Sequence, residues 1–130
     1  MIEELFAAMP LAQHLGIKLI DARPDEVTLR IEFSENLATT AGVLHGGALM
    51  SLADTAGALC AFLNLPPESG TSTIESNTNF FRAVRDGHVE AVARPLHIGR
   101  STIVVQTDLR DASGKRVAMT TQTQAVLSKR

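Results

Sequence analysis

Residues 43–64, VLHGGALMSLADTAGALCAFLN, decide how the rest of the chain is read. The run opens on His45-Gly46-Gly47 and continues as small and apolar residues, with the acid Asp54 in the middle. Alanine, leucine and methionine dominate, all strong helix formers, so the run predicts one long helix. Apolar residues fall on nearly every side of that helix, which predicts burial all round. Gly57 and the alanines would let other backbones come close. An unpaired buried carboxylate is costly, so Asp54 is expected to be paired, protonated or functional. A membrane span does not fit: residues 48–63 fall short of the ~20 a span needs, and a central Asp is expensive in lipid.

Composition bounds the answer. The 130 residues are expected to form one domain, 1–130, large enough for a real core. Hydrophobic content of 45% suits a soluble globular chain, and a net charge of -2 argues against a nucleic-acid partner. The single cysteine, Cys60, excludes an internal disulfide, and its place in the helix predicts a buried inert thiol. Four scattered histidines and a lone cysteine make no metal pattern, and no glycine-rich nucleotide loop is present, so no cofactor is expected. The N-terminus lacks the basic, apolar and cleavage regions of a signal peptide, which points to the cytoplasm.

The other elements follow in chain order. Residues 1–9 carry Ile2, Leu5, Phe6 and Met9 at helical spacing, Pro10 interrupts, and Leu11 to Leu15 make a further turn ended by Gly16. Residues 17–22 read as a strand and Arg23-Pro24-Asp25 as a turn. Val27, Leu29, Ile31 and Phe33 alternate with polar residues, the pattern of a half-buried antiparallel strand. Residues 34–42 read as an irregular loop. After the helix, residues 71–81 form a polar strand, with Thr73, Glu75, Asn77, Asn79 and Phe81 on one face and Ile74, Ser76, Thr78 and Phe80 on the other. Such a strand is either a site wall or polar interface, or a solvent-facing edge. Strands over 88–98, with a bulge or edge at Pro95, over 102–109 and over 116–127 complete the chain, joined by hairpin-like turns that favour a meander. The last residues, 128–130, are expected to fray. One long helix with an amphipathic sheet predicts an α+β domain of five to six antiparallel strands curled round the helix.

The segment Gly42-Val43-Leu44-His45-Gly46-Gly47, with Asp54 nine residues after the histidine, resembles the signature of hotdog-fold acyl-CoA thioesterases. It is most similar to the phenylacetate-pathway (PaaI-like) branch and the thioesterase superfamily member 2 type. TSTIESNTNFFRAVRDG, the Gly99-Arg100-Ser101 turn and the closing VAMTTQTQAVL carry the likeness through most of the chain from Gly16 onward. The resemblance implies a hotdog dimer with a continuous sheet, often paired again into a tetramer. It also implies Gly46 N–H as the donor that polarises the thioester carbonyl, with His45 in support. By the same alignment Thr73 assists from the chain that bears the acid. One position departs: where relatives commonly carry Asn or Gln, six residues before the histidine, this chain has Thr39, and Asn36 stands three residues off register.

The chemistry is consistent with that likeness. A helix start offers free N–H groups and the positive end of the macrodipole, against which a carbonyl oxygen can sit as in an oxyanion hole. Gly46 and Gly47 have no side chain to block access. Asp54 can then attack the carbonyl or activate water. The glycines could equally mark a tight turn, and His45 a capping residue. If His45 to Asp54 is continuous helix, its ends lie about 180° and ~13 Å apart, too far to serve one carbonyl. Two helices packed antiparallel about a two-fold axis solve this, so the site is expected to be shared between protomers. Arg82, Arg85 and Arg100, with Gly99 and Ser101 beside the last, are candidates for the phosphates of coenzyme A, each against the plainer reading of a solvated surface residue. Two other functions remain on the same fold: a hydroxyacyl-CoA dehydratase or hydratase, and a non-catalytic oligomer that binds acyl-CoA or an aromatic ligand.

Overall fold

A computed structural model describes residues 1–128; Lys129 and Arg130, part of the expected frayed end, lie outside the described residues. Two short helices come first, α1 (Ile2–Ala7) and α2 (Pro10–His14). Pro10 takes the first helical position, where its missing N–H costs nothing. Gly16, at φ +72°, ends α2: its N–H reaches the Gln13 carbonyl at 3.1 Å and the Ile17 N–H that of Ala12 at 3.0 Å. This is the Schellman closure that a left-handed glycine permits.

Strands β1 (Lys18–Arg23) and β2 (Glu26–Glu32) form a hairpin. A 3-10 turn, Glu35–Leu37, and an isolated bridge between Ala38 and Leu44 lead to the long helix α3 (Gly46–Phe62), so the segment read as an irregular loop is partly ordered. Strands β3 (Ser69–Phe80), β4 (His88–Ile98), β5 (Thr102–Asp111) and β6 (Arg116–Ser128) complete one antiparallel sheet of order β1-β2-β4-β5-β6-β3. Strands β4, β5 and β6 form the expected meander, while β3 stands at the far edge beside β6. Pro95 sits at a bulge, the register shifting between Pro95 and His97.

The sheet curls round α3, which packs against β2, β3, β4, β5 and β6. Val27, Leu29 and Ile31 are fully buried, as the period-two alternation of β2 requires, and belong to the same core as Leu52 and Leu59 of α3. Truncating either leucine to alanine would cost about 2–5 kcal/mol. Cys60 is sealed in this core, and burial, helped by the charge of Asp25, pushes its thiol up to about 11.

Two expectations need correction. First, α3 is not covered on every side: Gly47, Met50, Asp54 and Phe62 lie along an exposed stripe. The helix is apolar nearly all round, but the sheet of its own chain wraps only part of it. Asp54 therefore faces outward and is not a buried carboxylate. Second, the two faces of β3 are not those of an uninterrupted strand. Thr73 pairs with Gln124 and Glu75 with Thr123, leaving Ile74 as an extra residue. This bulge reverses the alternation, so Thr73 shares a face with Ser76 rather than with Glu75 and Asn77.

Candidate functional site

Asp54 stands in the third turn of α3, on the open stripe, facing β3. Its Oδ1 accepts two hydrogen bonds, from Thr73 Oγ1 at 2.8 Å and from Gln122 Nε2 at 2.9 Å. Behind them, Gln124 Nε2 donates to Thr73 Oγ1 at 2.6 Å. The Thr71 hydroxyl lies 3.0 Å from Gln124 Oε1 and 2.9 Å from the Ala125 carbonyl, and its single proton serves one at a time. Oδ2 has no hydrogen-bond partner among the described residues, and Asp54 lines a cleft of about 230 Å³ with Met50, Ser51, Thr73 and Ser76. The β3 bulge brings Thr73 and Ser76 to that cleft together.

Gln122 and Gln124 were not singled out in the sequence. Their signal was present: they alternate in phase with Ala118 and Thr120, all buried on β6. Amides at core positions call for partners. The opposite phase of the strand, Met119, Thr121 and Thr123, is equally mixed in character, so the pattern alone does not say which face is inside.

Gly46 opens the same helix two turns earlier. His45 is the N-cap, its Nδ1 accepting from Gly47 N–H at 2.8 Å. With Nδ1 an acceptor, the neutral ring carries its proton on Nε2. The His45 carbonyl takes the N–H groups of Ala48 and Leu49 at 2.9 and 3.3 Å. Of the first-turn amides, Gly46 N–H alone remains without an acceptor among the described residues. Gly47, expected to offer its amide to a ligand, has that amide spent on the cap; a Cβ there would come within 3.0 Å of the His45 ring. Gly46 lines a cleft of about 370 Å³ together with Thr39, Leu49, Phe80, Phe81 and Arg82. Thr39 thus stands beside Gly46 and not beside Asp54 of its own chain, and its hydroxyl accepts from Ala41 N–H at 3.2 Å.

The two clefts share no lining residue. From Gly46 to Asp54 the helix advances eight residues, about 12 Å, and turns about 80° beyond two full revolutions. The remaining candidates are dispersed. Asn36 joins His45, Gly47 and Ser51 round a third cleft of about 260 Å³ walled by Leu11, Leu15 and Leu37. Arg82 lines the Gly46 cleft, whereas Arg85 reaches the Ala41 carbonyl at 3.5 Å and lies in a cleft with Asp86 and Asp111, poor company for a phosphate. Arg100 is at the other end of the sheet. Phe80 is in register with Ala118, while Ser101 bonds Val126, the partner of Thr71. Nine residues of β3 between Phe80 and Thr71 span about 30 Å. Gly99 cannot lend its N–H, which donates to the Thr102 carbonyl at 2.8 Å within the turn. One chain therefore does not assemble Arg82, Arg85, Gly99, Arg100 and Ser101 into one phosphate site. Among the described residues, no helix is long and apolar enough to cross a membrane.

Residues 41–118 match the Thioesterase superfamily. The chain belongs to that family. Among thioesterase superfamily relatives, the 1,4-dihydroxy-2-naphthoyl-CoA hydrolase of Listeria monocytogenes is 30% identical over 122 residues, 94% of this chain and 99% of that protein. The proofreading thioesterase EntH of Cronobacter turicensis is 29% identical over 117 residues, 90% of this chain and 85% of that one. The solved structure of thioesterase HI1161 from Haemophilus influenzae superposes with a TM-score of 0.92 at 30% identity, covering 98% of this chain and 91% of its own. The helix held in a curved six-stranded sheet is thus the hotdog fold of the thioesterase superfamily.

Proposed function

We propose that the protein is an acyl-CoA thioesterase whose active site is completed by two copies of the chain. One observation carries the reading: among the described residues Asp54 Oδ2 and Gly46 N–H are both left without partners, in clefts that one chain keeps apart. An acyl transfer needs a carboxylate on one side of the carbonyl and a hydrogen-bond donor at its oxygen. Gly46 N–H, at the positive end of α3, meets the thioester oxygen. Asp54 of the second copy attacks the carbonyl carbon, or takes a proton from the water that does. Coenzyme A leaves as the thiolate and is protonated; where Asp54 attacks, water then cleaves the acyl–Asp54 anhydride, freeing the acid and restoring the carboxylate, and where water attacks, the acid is released directly and the proton that Asp54 took passes to the thiolate. His45 caps the helix start that presents Gly46 N–H, Thr73 holds Asp54, and Arg82 beside Gly46 is the cation best placed for a phosphate of coenzyme A.

Two surfaces support the pairing. Strand β3 is an edge of 12 residues with no Lys, Arg or Pro to blunt it, so its free side can extend the sheet into a second copy. The stripe of Met50 and Phe62, 41% and 36% exposed, lies beside that edge and would be covered by the partner helix. The phenyl rings of Phe80 and Phe81 wall the Gly46 cleft, and relatives include a naphthoyl-CoA hydrolase, so an aryl-CoA is the first substrate to try, with medium-chain acyl-CoA second.

The test is thiol release from a panel of aryl- and alkyl-CoA thioesters, with oligomer size read by light scattering, which also reports whether dimers pair into the tetramer the family likeness implies. Turnover by a dimer or larger assembly is the expected result; full activity of a monomer would sink the shared site. Thr39 favours a second reading. Its hydroxyl is engaged in its own turn and it has no amide to hold a water, which suits a protein that binds acyl-CoA without hydrolysing it. Calorimetric binding of the CoA esters with no thiol release would establish that alternative.

A further inference from the structure

We propose that Gln122, seated by Gly57, is the positioning residue that dictates which oxygen of Asp54 reacts; this rests on the thioesterase reading above. The Gln122 side chain is fully buried, yet only its nitrogen is satisfied: Nε2 donates to Asp54 Oδ1 at 2.9 Å, and Oε1 has no partner among the described residues. The amide cannot turn over, because Oε1 would then face Oδ1 and two acceptors would repel. It lies flat against α3 at Gly57, where a Cβ would come to 2.1 Å from Oε1 and 2.4 Å from Cδ. Two local sacrifices meet at this contact. A buried carbonyl goes unpaired, although a methionine of similar shape would leave nothing unsatisfied. A glycine sits in mid-helix, although alanine is the better helix former. Neither is explained by stability. Both are explained if the amide must reach Asp54.

Gln124 works to the same end at one remove. By donating to Thr73 Oγ1 at 2.6 Å, it leaves the single hydroxyl proton of Thr73 to point at Asp54 Oδ1. All donors therefore aim one way. Oδ1 is held by Thr73 and Gln122, and Oδ2 is the oxygen that presents its electron pair, to the carbonyl carbon or to a proton of the attacking water.

The inference is tested on the full chain with Gln122→Met, Gly57→Ala, the pair Gly57→Ala with Gln122→Ala, and Asp54→Asn as reference. A misplaced carboxylate is costly, as a shift near 1 Å can forfeit ~10²-fold in rate. Gln122→Met is expected to lower kcat by about 10-fold or more while KM stays within about two-fold. The acid limb of its pH–rate profile should move to higher pH, since the charged carboxylate loses a donor, and Tm should hold or rise. Gly57→Ala should reproduce the kcat loss by displacing the amide, and should have no further effect once residue 122 is alanine. Wild-type kcat and an unmoved acid limb in Gln122→Met, with Asp54→Asn inactive, would overturn this role alone. Should Gln122→Met fail to fold, Gly57→Ala reads the same contact, and unchanged kcat in that variant overturns the role equally. Turnover preserved in Asp54→Asn would instead overturn the thioesterase reading and this inference with it.

Discussion

Asp54 and Gly46 stand on one helix and are made ready in opposite ways. Asp54 is fixed by side chains from far along the chain, 19 and 68 residues away, which hold one oxygen and leave the other open. Gly46 is prepared by its immediate neighbour, because His45 takes the next N–H and its carbonyl takes the two after that. The acid is readied by long-range packing, the amide by local capping. Damage at the first should therefore appear in the chemistry, and damage at the cap partly in stability.

Asp54→Asn separates the two most sharply. The isostere keeps an acceptor for Thr73 and Gln122 but loses the charge, so the fold should persist while thiol release falls by about 10²–10⁴-fold, the range of general acid–base contributions. Equal turnover in the two proteins would move the chemistry elsewhere. Gly46→Pro is the matching change at the other pole. Proline removes the N–H at the first helical position, where it is tolerated, and His45 already has ψ 135°, as a residue before proline requires. A loss of about 10²–10³-fold in kcat is expected, the cost of one oxyanion donor. A folded Gly46→Pro protein with normal kcat would show that this amide does not meet the carbonyl.

His45→Ala tests the local side of the comparison. Loss of the cap should cost about 1 kcal/mol, seen as a Tm lower by about 4 °C. If His45 only caps, kcat should fall less than in Gly46→Pro. The smallest effect on turnover is expected at Cys60, part of the helix that neither pole uses. Its thiol stays protonated in the folded state up to about 11, whereas an ordinary cysteine thiol gives up its proton near 9.0. The unfolded chain therefore sheds that proton first, and the contribution of Cys60 to stability, full below pH 9.0, declines as pH rises towards about 11. Denaturation midpoints from pH 8 to 11 for wild type and Cys60→Ala should show a steeper decline in the wild type. Thiol reagents at pH 8 should react only on unfolding.

The same contrast explains what could be read from the sequence. The helix, the strand alternation of β2, the closure at Gly16 and the meander of β4, β5 and β6 rest on local pattern, and each was legible. The capping role of His45 was legible too, as one of two readings. The open stripe on α3 was hidden, because apolar composition does not distinguish a helix buried by its own sheet from one left for a partner. The bulge at Ile74 inserts one residue without any glycine or proline to announce it, and it carries Thr73 to the face of Ser76. Gln122 and Gln124 depended on knowing which face of β6 is inside, and Gly57 on knowing that a side chain, not a backbone, approaches it. The arginines at the β3 and β4 ends stood as candidates for the phosphates of coenzyme A, each against the plainer reading of a solvated surface residue, and the ~30 Å between the two ends was invisible in the sequence.

The most direct measurement mixes two variants that are each expected to be inactive. Asp54→Asn chains retain Gly46, and Gly46→Pro chains retain Asp54. Unfolded together and refolded as a mixture, with hetero-oligomers verified by native mass spectrometry, half of the pairs should be mixed and each should hold one intact site. Thiol release should then recover to about a quarter of wild type, given two-fold symmetric sites. Hetero-oligomers that form but recover no activity would contradict a site built from Gly46 of one chain and Asp54 of the other.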